Sequence, residues 1–287
     1  MLFRSSGHAR CCANHGLSLV ITARLGRDIQ IFLFDAGPEA YTLARNGDRL
    51  RTPFSEVGAI MLSHGHWDHG GGLPEAIRLV TSANGGNPVP CHVNDGMFVT
   101  RALRLADGQF LPFEDVTKPV ELSKLGASVV NAADARLVME QMFYISGEIP
   151  RITPYERGFP AHLKLAKDGR SWEPDPLILD ERYVAAHVKG KGIVVFTACS
   201  HAGVINVLTD ARKIFADVPL YAVMGGFHLS GPEVEDIIPD TIRDLGDFAL
   251  KRIVPCHCTG WRAVHALANV YKDDVLTPAA VGREFLF

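Results

Sequence analysis

Basic clusters are missing from this chain. Across 287 residues, 29 Lys and Arg stand against 32 Asp and Glu, for a formal net charge of −3. Without a Lys/Arg stripe there is no electrostatic footprint for nucleic acid, although small phosphorylated ligands remain admissible. Long apolar runs are missing too. No stretch approaches the roughly 20 residues that span a bilayer, so no membrane partner is expected. Leu17 to Ala23 follows the basic Arg4, His8 and Arg10, but it is too short for the apolar region of a signal peptide and reads as a strand. The six cysteines (Cys11, Cys12, Cys91, Cys199, Cys256, Cys258) fall in neither a disulfide-framework nor a zinc-finger spacing. Reduced thiols and a cytoplasmic location are therefore expected. Internal repeats, low-complexity tracts and linkers are likewise lacking. Hydrophobic content of 47% with 21% charged residues suits a chain long enough to bury its own core. We expect one domain over 1–287, with an irregular insertion at about 150–181 where Pro154, Pro160, Pro174 and Pro176 gather. Loops of that length are commonly lids or flexible segments. Tyr155, Phe159 and Trp172 within it are read as pinning the loop, with capping a substrate as the alternative.

What the sequence does contain is a dense patch of metal-ligand residues, Ser63-His64-Gly65-His66-Trp67-Asp68-His69-Gly70-Gly71-Gly72. At this chain's own residue frequencies, H-x-H-x-D-H arises by chance in about one chain in a thousand. Imidazole and carboxylate are the donors that suit Zn²⁺, Mn²⁺ or Fe²⁺. Val57 to Leu62 precedes the patch as a short apolar strand, and Leu73-Pro74-Glu75 follows as a helix start. The histidines thus lie at the carboxyl end of a strand, where open α/β sheets place their sites. Alternation lets His64 and His66 point one way from extended backbone, while Asp68 and His69 turn toward a second position.

The same grammar recurs downstream. An apolar strand ends, a His follows among small residues, and a helix begins at His201, at His228 and at His257. Strand-to-helix junctions also offer N–H groups to anions, so the helix starts at Ala202 and Gly260 are read as holders of a phosphate or carboxylate. Ser230 to Glu233 reads as a capping box and Thr259 as a helix cap. Asp35, at the end of a strand from Gln30, is either a turn residue or a partner of a ligating His. His92, inside a strand, reads as structural. Residues 95–135 mix both periodicities and resist assignment.

Ser63-His64-x-His66-x-Asp68-His69-x-Gly71-Gly72 resembles the signature of the metallo-β-lactamase superfamily, and Asp35-Ala36-Gly37 resembles its early Asp-x-Gly. Gly147 to Arg151, Cys199 to Gly203, Gly225 to Leu229 and His257 to Gly260 are similar to the subgroup of 7,8-dihydropterin-6-ylmethyl-4-(β-D-ribofuranosyl)aminobenzene-5′-phosphate synthases. The resemblance runs from Gly16 to Gly260. It implies an α/β (α+β) fold, an αββα sandwich of two mixed β-sheets with outer helices. It also implies two divalent metal ions, Zn foremost with Mn or Fe as alternatives. His64 and His66 would hold one ion, and Asp68, His69 and His257 the other. Where most members carry a bridging Asp this chain has Cys199, read equally as a ligand or a packed thiol, and His201 two residues on is taken to complete the first site. Asp68 would orient a water, and His228 would touch substrate or a ligand. Glu148, Arg151 and Thr259 complete the expected substrate contacts, Arg151 as an anion clamp or as an ordinary loop residue.

The function so implied is that of a metal-dependent hydrolase acting through a metal-activated water on a small anionic or phosphorylated substrate. One alternative is the pterin-transferring synthase, which joins a dihydropterin methyl diphosphate to the ribofuranosylaminobenzene phosphate with loss of diphosphate. Another is a non-catalytic ligand-binding member of the fold.

Overall fold

The computed structural model describes residues 7–287, so Arg4 lies outside the described residues. The chain runs through β1 (Leu19–Leu25), β2 (Asp28–Phe34), α1 (Ala40–Leu50), β3 (Val57–Met61), the single turn α2 (Trp67–Gly70), α3 (Leu73–Ala83) and β4 (Val89–Val93). It continues with β5 (Arg101–Arg104), β6 (Phe110–Pro112), α4 (Pro119–Lys124), β7 (Ala127–Asn131), β8 (Arg136–Val138) and β9 (Phe143–Ile145). Then come β10 (His162–Leu165), β11 (Trp172–Pro174), β12 (Val184–Val188), β13 (Gly192–Phe196) and α5 (Val204–Ile214). The last elements are β14 (Leu220–Gly225), α6 (Ile238–Leu245), β15 (Arg252–Pro255) and α7 (Trp261–Ala268).

Two mixed sheets face each other. One has the order β1-β2-β3-β4-β7 and the other β15-β14-β13-β12-β9-β8. The layer between them holds Phe32, Phe34, Met61, Phe143, Val194, Phe196 and Met224, with the Phe32 and Phe143 rings stacked at 5.2 Å. Outside the first sheet, α3 buries Leu73, Ala76, Ile77 and Val80. Outside the second, Val204, Val207 and Leu208 of α5 join Leu245 of α6 and Leu267 of α7. The expected αββα sandwich is therefore present. All five residues of β13 are buried, as the unbroken run Gly192 to Phe196 requires of a strand covered on both faces.

Parallel pairing decides where the loops emerge. Phe34 sits beside Met61, so Asp35 and the His64 loop leave the first sheet together. Phe196, Met224 and Val254 are aligned across β13, β14 and β15, so the loops bearing Cys199 and His201, His228, and His257 leave the second sheet side by side. Both bundles of loops reach the same edge of the sandwich.

Several local expectations change. The insertion carries β10 and β11, which extend β5 and β6 into a third, four-stranded sheet of order β11-β10-β5-β6. Short strands with mixed polarity at 95–112 and 162–174 pair only with each other, which is why neither half was legible alone. Ser230 to Glu233 does not form a capping box. α6 begins at Ile238 after a 3₁₀ turn, and the Glu233 carboxylate instead accepts the Ala161 N–H at 3.3 Å. Among the described residues no helix is long and apolar enough to cross a membrane.

Candidate metal centre

The His64 loop is locked from below before any ligand is considered. The Gly65 N–H donates to Asp180 Oδ2 at 2.8 Å, and Asp180 pairs with the buried Arg101 guanidinium. A Cβ on Gly65 would overlap the Met97 carbonyl, so only glycine fits. The next two residues hold the other loops. Glu181 accepts the His201 and Ala202 N–H groups at 2.8 and 2.7 Å, and the Arg182 N–H donates to the Ser63 carbonyl at 2.9 Å. Backbone strain gathers in the same place. Asp35, Ser200, His228 and His257 all have φ between 45° and 61°, a region non-glycine residues occupy at a cost of about 1–3 kcal/mol each.

Two histidine-rich groups of candidate ligands share Cys199. Asp68, His69, Cys199 and His257 form one and His64, Cys199 and His201 the other, with the donor atoms in each within 4.8 Å of one another. In the first, His69 Nε2 lies 3.1 Å from His257 Nε2, 3.2 Å from Cys199 Sγ and 3.7 Å from Asp68 Oδ2. His257 Nε2 lies 3.1 Å from Cys199 Sγ and 3.2 Å from Asp68 Oδ2. In the second, His64 Nε2 and His66 Nδ1 are 3.1 Å apart, and the His201 ring is centred 4.9 Å from both rings. Donors bonded at about 2.1 Å around a tetrahedral ion stand about 3.4 Å from each other, so these spacings suit a shared cation.

Hydrogen bonds behind the rings aim the lone pairs inward. Asp35 Oδ2 accepts from His69 Nδ1 and from Ser63 Oγ, both at 2.7 Å, and Oδ1 accepts the Ser63 N–H at 2.7 Å. Ser63 Oγ, having donated to Asp35, accepts from His64 Nδ1 at 2.9 Å. Nδ1 carries a proton in both His64 and His69, so Nε2 faces the group, as a lone pair in His64 and, once its second proton is displaced, in His69. His66 is aimed the other way round. Its Nε2 meets His162 Nε2 at 2.9 Å, and His162 Nδ1 donates to the Asp175 carbonyl at 2.8 Å. Both His201 nitrogens are buried without a hydrogen-bond partner, as is His257 Nδ1. Unpaired buried imidazole is costly and fits a site built to coordinate.

Charge agrees with geometry. Burial, and then the neighbouring imidazoles, hold His64, His66 and His201 well below the usual imidazole range, in the neutral form that offers a lone pair. Burial opposes a charge on His69, but the Asp68 and Asp35 carboxylates outweigh it and push the group up to about 9. Against the opposing effect of burial, His69 and His257 hold Asp68 well below the usual carboxylate range. The pocket between these side chains favours a positive charge.

His64, His66, Asp68, His69, Cys199, His201 and His257 are thus brought together, with Asp35 behind two of them. His228 stands beside them, its ring 4.3 Å from that of His201. Three other expected contacts do not converge on the groups. Glu148 is exposed, and its charge acts on Arg151 and Arg182. Arg151 donates to the Ile149 and Leu177 carbonyls. Thr259 Oγ1 accepts the Phe227 N–H at 3.1 Å and donates to the Cys256 carbonyl at 2.8 Å, stitching two loops together instead of capping α7, which starts behind Gly260. The Ala202 helix start is also filled from within. Glu181 takes the first N–H groups, and Glu156 takes those of Ile205 and Asn206 at 2.8 Å. His92 is structural, lying 3.3 Å from Arg136 and against Phe32.

Two ring residues were not anticipated. His162 comes from the insertion, where a lone His between prolines gave no periodic signal. His15 reaches in from ahead of β1, with its Nε2 3.4 Å from Asp68 Oδ2 and its ring 4.7 Å from that of His257. Tyr155 does pin the insertion, donating to Asp244 at 2.6 Å, and Trp172 packs on Phe110. Phe159 instead covers the site, its ring centred 4.8 Å from His228, 5.9 Å from His162 and 6.0 Å from His201.

Fold and loop geometry together define a metallo-β-lactamase fold. The chain superposes on Tm1679, a metal-dependent hydrolase of the β-lactamase superfamily, with a TM-score of 0.73 and 20% identity over 96% of this chain and 93% of that one. It superposes on the metallo-β-lactamase fold protein YhfI of Bacillus subtilis with a TM-score of 0.52 and 13% identity, over 95% and 93% of the two chains. By sequence it is 28% identical over 269 residues to the 7,8-dihydropterin-6-methyl-4-(β-D-ribofuranosyl)-aminobenzene-5′-phosphate synthase of Methanocaldococcus jannaschii, covering 91% of this chain and 86% of that protein. An uncharacterized protein of the same organism is 29% identical over 270 residues, covering 94% and 93%. No protein-family model matches the chain.

Proposed function

We propose that this protein is a metal-dependent enzyme with a two-ion centre, of hydrolase type, acting on a small anionic substrate. The observation that carries the reading is the division of six ligand-type side chains into two groups joined at Cys199, with His66 against the second. His64, His66 and His201 would hold one ion and Asp68, His69 and His257 the other, with the Cys199 thiolate between them. Zn²⁺ suits imidazole and thiolate donors best, with Mn²⁺ and Fe²⁺ as the alternatives. Bound there, such ions supply Lewis acidity toward a carbonyl or phosphoryl oxygen and lower the pKa of water.

The chain's own residues do the rest. Asp35 and Ser63 fix the tautomers of His69 and His64, and His162 fixes that of His66. Asp68 keeps its charge at every working pH, so it can accept a hydrogen bond from a water in the site. Phe159, from the insertion, lies over His201 and His228. A surface cavity of about 300 Å³, lined by Tyr155, Arg157, Pro160 and Val234, adjoins the small pocket at His201 and His228. Its size suits a small molecule, and its wall carries one charge of each sign, Arg157 and Glu233.

A second reading has its own support. The likeness to the synthase spans nearly the whole chain, so the same centre could serve a condensation joining a dihydropterin methyl diphosphate to 4-(β-D-ribofuranosyl)aminobenzene 5′-phosphate, with diphosphate as the leaving group. The test sets phosphate mono- and diesters and a lactone beside the pterin and aminobenzene pair, with chelator and with divalent ion restored. Hydrolysis that chelator abolishes and metal restores supports the leading reading. A joined pterin product seen by mass spectrometry favours the synthase. Bound metal without turnover of any substrate contradicts both and leaves a ligand-binding member of the fold.

A further inference from the structure

Cys258 lies outside both groups, yet its sulfur sits 3.2 Å from Cys199 Sγ and 3.4 Å from the Cys199 carbonyl. With His228 it forms a third set of donors, Cys199, His228 and Cys258, whose ligand atoms lie within 4.8 Å of one another. The backbone brings this set together deliberately. Cys258 directly follows His257, held at φ 47°, and precedes Thr259, whose hydroxyl ties the loop to Phe227. Gly226 leaves room for the thiol, since a Cβ there would stand 2.7 Å from Cys258 Sγ. His228, itself held at φ 45°, buries its Nε2 without a hydrogen-bond partner.

We propose that Cys199, His228 and Cys258 form a third coordination position, for a thiophilic divalent cation of the Zn²⁺ class, beside the two histidine-rich groups. Two sulfurs and one imidazole make the softest donor set of the three. Three protein donors leave a fourth position open to solvent or ligand, as in zinc sites of the Cys₂His type. The set rests on the two-ion reading above, because Cys199 belongs to all three groups.

The test uses the reduced, metal-stripped full chain under anaerobic conditions, with Cys11→Ser and Cys12→Ser removing two half-buried thiols ahead of β1. Cd²⁺ or Co²⁺ is added while thiolate-to-metal charge-transfer absorption and bound equivalents are followed. The expected parent binds three equivalents. Cys258→Ser then binds two and loses about half of the thiolate absorption, since one of two ligating sulfurs is gone. Cys199→Ser, in which Cys258 is the thiolate left at the site, retains charge-transfer absorption. Two equivalents in the parent, with an unchanged spectrum in Cys258→Ser and none in Cys199→Ser, overturns the third position and leaves the two-ion reading standing. Fewer than two equivalents in the parent overturns both.

Discussion

Replacing Asp35 with Asn tests whether the hydrogen bonds behind the histidines set the metal affinity. The side chain is fully buried and its φ of 61° lies in the left-handed region, which Asn tolerates as well as Asp. Shape and backbone are therefore conserved, and only charge and acceptor capacity change. Oδ1 can still accept the Ser63 N–H, but the new NH₂ faces His69 Nδ1–H and Ser63 O–H, donor against donor. Two charge-assisted bonds worth about 1.5–3 kcal/mol each are lost. His69 can relieve the clash only by moving its proton to Nε2, which withdraws the lone pair that faces Asp68, His257 and Cys199. Part of the loss is recovered by that switch, so affinity at this group falls by about 10–100-fold, as for other partners of metal-bound imidazole. Competition against a chromophoric chelator measures it, with circular dichroism confirming an unchanged fold. An affinity within twofold of the parent would refute the reasoning.

The remaining predictions concern the other supports of the site. His162→Ala frees the His66 ring, so the affinity of the His64, His66 and His201 group falls by about tenfold while the Asp68 group is unaffected, read as loss of one of two resolved binding steps. Below about pH 9 His69 carries a proton that a cation must displace, so affinity at the Asp68 group rises at least tenfold per pH unit up to that value. Calorimetry in buffers of different ionisation enthalpy should count at least one proton released per ion bound at neutral pH, and none released would contradict this. Burial pushes Glu156 up to about 7 from its ordinary 4.5, so its contribution to stability is full below about pH 4.5 and is lost as pH rises through 7. Glu156→Gln should remove that slope, worth about 3 kcal/mol between pH 4.5 and 8, and parallel melting curves of the two proteins would count against it.

The site was legible where chemistry and period coincide. His64, His66, Asp68 and His69 crowd one loop after one apolar strand, and His201, His228 and His257 repeat that strand-then-His order. Parallel pairing of β13, β14 and β15 then makes the repetition spatial. Asp35 could not be separated from a turn residue by sequence, because its role depends on β2 lying beside β3. The residues that pin the loops were not legible at all. Asp180 and Glu181 act by accepting N–H groups of Gly65, His201 and Ala202, a contact no periodicity encodes. The anion site foreseen at Ala202 failed for the same reason: Glu156 and Glu181, distant in sequence, already satisfy that helix start. His162 was lost because β10 is held between the short β11 and β5, which lies far earlier in the chain.

Anomalous diffraction from crystals grown with Zn²⁺ tests the central claim most directly. The account predicts one peak within bonding distance of His64 Nε2, His66 Nδ1 and His201, and a second within reach of Asp68, His69 and His257, with Cys199 Sγ between them and the peaks about 3.5–4 Å apart. A single peak that touches only one group, or zinc bound away from these loops, would contradict it.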